Sequence, residues 1–267
     1  MDERVIITEL KMDVLDGRKK IIRVLLPNDY YDTKKTYPVL YMHDGQNLID
    51  KSPYSNYSWD VLKTADEYHE LTKGLIIVGV DSHVTKRIME YSPSFSYRVK
   101  KYIHKSAGVL LEEIRPEADF YGEFIVNQLK PYIDSNYRVK PNKEFTFIAG
   151  SSCGGIISAY LGLKYQNVFS VIGAFSPAYG LVKKGFFNFV RKTEIQDHIK
   201  MYHDMGTKEN GYFSFLMTGQ QNKFHKIILK KMNEEKICKV VDIGALHNEY
   251  YWSIRLKDFL EFCFKKA

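Results

Sequence analysis

Six short apolar runs, at residues 37–42, 74–80, 144–149, 168–175, 199–203 and 239–243, constrain this chain more than any other feature. Each is almost continuously hydrophobic, and helix-length stretches separate most of them. A strand that is apolar on both faces has to be covered on both faces, which implies a mostly parallel sheet with helices above and below. Two earlier segments, residues 5–8 and 20–26, alternate in a strand-like way, and Pro27-Asn28-Asp29 ends the second. They read as an antiparallel edge of the same sheet. Residues 59–71 can be helical. Residues 120–133 place Phe124, Ile125, Leu129 and Ile133 on one face, with an end expected between Pro131 and Asn136. Residues 250–264 put Ile254, Leu256, Phe259, Leu260 and Phe264 on a broad apolar face. With 267 residues and no internal repeat or Gly/Ser linker, the pattern fits a single domain.

Charge and cysteine content exclude several function classes. No apolar run approaches the roughly 20 residues that cross a bilayer, so no membrane partner is expected. The N-terminus, MDERVIITEL, is acidic where a signal peptide would be basic, and the expectation is a cytoplasmic protein. Cys153, Cys238 and Cys263 lie far apart in no zinc pattern. They read as free thiols in a reducing compartment, with no metal site. The net charge is +7, and its densest run, Arg98 to Lys105, reads as a solvated face rather than a nucleic-acid patch.

In sheets of this kind, function gathers at the carboxyl ends of the strands. The third long run meets Gly150-Ser151-Ser152-Cys153-Gly154, a G-x-S-x-G pattern. Between a strand and a helix, this pattern makes a sharp turn that exposes one serine. Ser152 is the candidate nucleophile, and the backbone N–H of Cys153 is one candidate oxyanion donor. A serine needs a base within hydrogen-bond reach, and the expected chain order is serine, acid, histidine. His247 follows the last strand on a loop with no apolar period and is the candidate base; His203 and His225 read as structural or surface residues. The acid should follow the 199–203 strand. Glu209 is favoured because it lies beyond the strand end, and Asp204 is its competitor. The second oxyanion donor is expected near Gly45 or Gln46, with His43 ordering that loop.

The residues quoted so far resemble those of the Putative esterase family. Its carriers are Tyr41 to Asn47, Val78 to Val80 with Arg87 to Pro93, Pro131 to Arg138, Ile148 to Gly155, Phe175-Ser176-Pro177-Ala178 and His247 to Trp252. The resemblance implies an α/β-hydrolase three-layer sandwich with a mostly parallel central sheet, an antiparallel N-terminal edge and helices on both faces. It implies a serine esterase acting on a small-molecule or carbohydrate-linked ester, with a triad on Ser152, Glu209 and His247 and no cofactor. An acyltransferase with the same triad and a non-catalytic binding module are the alternatives, and a homodimer is left open. Two departures stand out. Cys153 occupies a position where family members often carry methionine. Segments 95–119 and 179–197 match no motif and are expected to cover the site. Asp44, Trp59, Arg87 and Tyr91 are candidate substrate-binding residues. For Arg87, grouped with Glu90, a structural ion pair competes with that role; for Trp59 and Tyr91, core packing does.

Overall fold

In the computed structural model, which describes residues 2–15, 17–53, 55–209, 211 and 214–264, the apolar runs become the strands of one eight-stranded sheet. The strands are β1 (Val5–Met12), β2 (Arg18–Leu25), β3 (Val39–His43), β4 (Ile76–Val80), β5 (Thr146–Ser151), β6 (Val171–Phe175), β7 (Lys200–Gly206) and β8 (Ile237–Asp242). Their spatial order is β1-β2-β4-β3-β5-β6-β7-β8. β1 and β2 pair antiparallel, as does β2 with β4, and all other neighbours are parallel. β3, β4, β5 and β6 are buried along their whole length, which accounts for the unbroken hydrophobicity of their sequences.

The helices are α1 (Val61–Glu67), α2 (His69–Thr72), α3 (Arg87–Glu90), α4 (Tyr97–Ala107), α5 (Ala118–Phe124), α6 (Lys130–Asn136), α7 (Cys153–Lys164), α8 (Tyr179–Lys192), α9 (Ser214–Ile228) and α10 (Glu249–Phe264). Alternate residues of each central strand face opposite layers. Val39, Tyr41, Ile148 and Ile172 pack with Phe124, Ile156 and Phe186, whereas Leu40, Met42, Phe147 and Ala149 pack with Trp59, Leu256 and Phe259. The outcome is the three-layer α/β-hydrolase sandwich.

Two elements differ from the sequence expectation: β8, read as covered on both faces, has no fully buried residue, and one helical segment is longer and less regular than its pattern. The helical segment expected over 120–133 begins at Ala118 and runs to Asn136 through a π-helical stretch, Ile125–Leu129, with Pro131 in the first turn of α6. Pro131 cannot donate to a carbonyl one turn back, and the wider turn ahead of it lets the helix continue past the proline. The 95–119 segment contains α4, whose Ile103 packs into a small cluster with Met89, Val109 and Ile114.

Candidate active site

Ser152 follows the end of β5 with φ 58° and ψ −119°, a backbone that side-chain-bearing residues rarely adopt. Such strain costs roughly 1–3 kcal/mol and persists only where the surroundings over-determine it. Here they do. The Ser152 N–H donates to the Phe175 carbonyl at 2.9 Å, and the Ser152 carbonyl accepts from Ala178 N at 3.0 Å. The turn is therefore clamped to the end of β6. A Cβ on Gly155 would stand 2.9 Å from the Phe175 carbonyl oxygen, so only glycine lets the start of α7 approach β6. The first amides of α7 have no intrahelical acceptor, and the positive end of its dipole lies beside Ser152. The Cys153 thiol is buried, and that burial pushes its pKa up against the pull of Arg87. A buried neutral thiol is a poor nucleophile.

The loops after β7 and β8 are joined by backbone hydrogen bonds. Thr207 N–H donates to Asp242 O at 2.9 Å and Lys208 N–H to Ala245 O at 3.0 Å. Gly244 N–H donates to Thr207 Oγ1 at 2.8 Å. This pairing brings Glu209 to His247, with Oε2 and Nδ1 2.9 Å apart. A carboxylate only accepts, so Nδ1 carries the proton, and Nε2 of the neutral ring is left as an acceptor. The other oxygen, Oε1, accepts from Gly206 N–H at 2.5 Å and from the Ser176 hydroxyl. Asp204, the competitor, makes no such contact with His247. It lies fully buried in β7, accepting from Ser176 N–H at 2.7 Å and Tyr202 Oη at 3.1 Å. Burial raises its carboxyl to about 6 although Arg255 beside it pulls the other way.

Sequence reasoning gave Ser176, Trp252 and Arg255 no individual roles. Ser176 is fully buried, with φ 42° at the end of β6. Its Oγ accepts from Trp252 Nε1 at 2.9 Å and Arg255 Nη2 at 3.0 Å. One donated and two accepted bonds use the full capacity of a hydroxyl. The Trp252 ring stands edge-on to the His247 imidazole, with centroids 5.0 Å apart. Glu249 is a further unassigned residue. Its carboxylate accepts from Asn47 Nδ2 at 3.1 Å and from the Ser55 hydroxyl, tying the start of α10 to the loop after β3.

That loop carries Asp44 in the left-handed region, then Gly45 to Asn47 as a short 3-10 turn. Gln46 is tethered through its side chain, with Nε2 donating to Ser82 Oγ at 2.9 Å and Oε1 accepting from Ser82 N–H at 3.0 Å. His43 lies beneath, 2.9 Å from Tyr121 Oη through Nδ1, and burial lowers its pKa to about 3.

The four candidate substrate residues fall out differently. Arg87 pairs with Asp44 rather than Glu90, through Nε at 2.6 Å and Nη2 at 2.7 Å, so two of its five N–H donors are engaged by that carboxylate. Glu90 instead binds Lys20 and Arg18. Trp59 is 1% exposed and packs on Phe175 and Trp252, and Tyr91 is fully buried with its hydroxyl accepting from Asp44 N–H. Both are core residues beneath the site, which removes them as walls of an open pocket. Among the described residues, no group of His, Cys, Asp and Glu could hold a metal ion, and no helix is long and apolar enough to cross a membrane.

Comparison with known proteins gives the family and the fold. The Putative esterase family model matches residues 15–262. The chain is 22% identical over 249 residues to the uncharacterised protein YbbA of Bacillus subtilis (strain 168), covering 90% of this chain and 91% of that one. Its fold is similar to the BES protein from Bacillus cereus, with a TM-score of 0.74 at 17% identity over 100% of this chain and 97% of that one. It is equally similar to the siderophore hydrolase EstB from Aspergillus nidulans, with a TM-score of 0.74 at 15% identity over 98% and 95% of the two chains. The chain therefore belongs to the Putative esterase family and is a carboxylic ester hydrolase built on the α/β-hydrolase fold.

Proposed function

We propose that this chain is a serine esterase that cleaves a small-molecule or carbohydrate-linked carboxylic ester through Ser152, His247 and Glu209. The observation that carries the reading is the Glu209–His247 hydrogen bond at 2.9 Å, and the strained β5–α7 turn that holds Ser152 at φ 58° supports it. His247 Nε2 takes the Ser152 hydroxyl proton as Oγ attacks the ester carbonyl. Glu209 keeps the imidazole in the needed tautomer and stabilises the imidazolium. The oxyanion accepts from the backbone N–H of Cys153 and from one N–H of the Gly45–Gln46 turn, donors worth roughly 100–1,000-fold each in rate. His247 returns the proton to the departing alcohol, leaving an acyl-enzyme. Water, deprotonated by the same imidazole, then releases the acid.

The substrate pocket is proposed to be shaped by segments 95–119 and 179–197. One adjacency and one contact support this. α8 starts just after the Ser176-Pro177 turn, and Ser94 Oγ, in the residue before the first segment, donates to Val182 O of the second at 3.5 Å.

The test is covalent labelling by a fluorophosphonate together with hydrolysis of p-nitrophenyl acetate. Both are expected in the wild type, and both are expected to disappear in Ser152→Ala and His247→Ala. A wild type that neither labels nor turns over, or labelling that survives Ser152→Ala, would remove this mechanism.

A further inference from the structure

Besides the Arg98–Lys105 run, positive charge gathers on one pair of packed helices. α8 and residues 214–231 together carry eight lysines and arginines and no aspartate or glutamate. The chain as a whole has a net charge of +7, so the remainder is close to neutral. Acidic residues resume only at Glu194 and Glu234, beyond the helix ends. α8 and α9 pack against each other through Phe186 and Phe224, whose rings stack at 6.1 Å. Between them lies a groove of about 840 Å³ lined by Arg191, Lys223, Lys226, Lys230 and Lys231, with no carboxylate in its wall.

The hydrogen-bond and ring partners of these cations are neutral. Lys223 Nζ lies 4.8 Å from the centre of the Phe187 ring, Lys231 Nζ donates to Thr193 O at 2.9 Å, and Arg191 Nη1 donates to Asn188 Oδ1 at 3.0 Å. Lys223 and Lys226, three residues apart, share one face of α9, and Lys230 stands in the turn that follows it. Like charges held together in a concavity repel one another and focus a positive potential. A multivalent anion relieves that repulsion by binding.

We propose that the α8–α9 groove is a binding site for an oligophosphate anion, distinct from the candidate triad; of its lining, only Arg191 falls in a segment proposed to shape the substrate pocket. Two features favour a small anion. The wall contains no aromatic side chain on which nucleic-acid bases could stack. The site is a concave groove rather than a flat surface suited to a bilayer.

The experiment is calorimetric titration of the whole chain with tripolyphosphate, beside the double variant Lys226→Glu/Lys230→Glu. Binding is expected to weaken about tenfold as NaCl rises from about 50 to about 300 mM, because mobile ions screen charges on an open groove. The double variant should bind at least about tenfold more weakly while keeping the wild-type circular dichroism spectrum and unfolding temperature. Absence of binding, or equal binding by that folded variant, overturns the proposal. So does tighter binding of a short single-stranded RNA, or capture by phosphatidylserine vesicles without tripolyphosphate binding. None of these readouts depends on the Ser152 mechanism.

Discussion

At the scale of single residues, Ser176 is where two parts of the site meet. Its hydroxyl holds Glu209 Oε1, while its two accepted bonds fix Trp252 and Arg255, and Trp252 in turn packs on His247. Removing it frees the acid to rotate and leaves an indole N–H and a guanidinium N–H without their acceptor. Ser176→Ala is expected to lower kcat about ten- to hundredfold with little change in KM, the scale of a small misplacement of reacting groups. Ser176→Gly is the control for strain, since glycine accepts φ 42° freely. Both should lose activity alike; full activity in Ser176→Gly would show that the hydroxyl is not what matters. A companion pair separates the two acids. Glu209→Gln should lower kcat about 100–10,000-fold, as expected when an acid can no longer stabilise the charged imidazole. Asp204→Asn should retain far more activity, and a larger loss in Asp204→Asn than in Glu209→Gln would reverse the assignment. Ser152, Glu209 and His247 can be proposed from the sequence because each follows a strand end and carries its own chemistry. Ser176 cannot, because its three side-chain bonds come from residues 33 to 79 positions away. Its only local sign was a serine before Pro177 at the end of an apolar run.

At the scale of elements, the central strands were readable because burial on both faces leaves no polar alternation to confuse the pattern, and β3 to β6 show this. α8 and α9 were harder to read. α8 turns Tyr179, Phe186 and Val190 into the core while its other side is basic, and in the sequence these signals mingle. Packing distance, invisible in the sequence, also sets what each helix tolerates. A Cβ at Gly162 of α7 would stand 2.3 Å from Ile172 Cγ1 of β6, whereas one at Gly219 of α9 meets nothing within 4 Å. The same substitution should therefore have opposite signs. Gly162→Ala forces α7 off the sheet and should cost about 1–3 kcal/mol. Gly219→Ala should gain roughly 0.5–1 kcal/mol from helix propensity. Urea unfolding of the two variants against wild type checks this, and equal shifts would refute the packing argument.

At the scale of the whole molecule, the strand order could not be read from the runs themselves, since hydrophobicity says that a strand is central but not which strand lies beside it. The resemblance to the esterase family supplied the architecture, and the order β1-β2-β4-β3-β5-β6-β7-β8 agrees with it. Burial on this scale also sets how the fold responds to acid. Burial lowers His43 and His203 to about 3, with Arg87 and Lys20 near His43 and with His225 and Lys239 near His203 acting in the same direction, while Asp44 partly opposes the shift at His43. An imidazole with a depressed pKa contributes stability that is complete above about 6.5 and is lost as pH falls toward the folded value. At pH 5 each histidine should therefore have given up about 2 kcal/mol. Asp204 acts in the opposite sense. Its raised pKa of about 6 means that the fold holds the proton more tightly than the unfolded chain does. Acidifying from pH 7 to 5 should regain about 1 kcal/mol there. Asp81 and Asp258, also raised by burial, act in the same sense as Asp204. Carboxyls held low, such as Asp44, contribute almost nothing in this range, because their losses begin only near the unfolded value of 3.8. The histidines dominate, and stability should fall by about 3 kcal/mol between pH 7 and pH 5, a large share of a typical domain's total. Urea midpoints at the two pH values measure this, and NMR should show two imidazoles that do not titrate while the chain is folded. An unchanged or higher midpoint at pH 5 would mean that one of these rings is reached by water and protonates without unfolding.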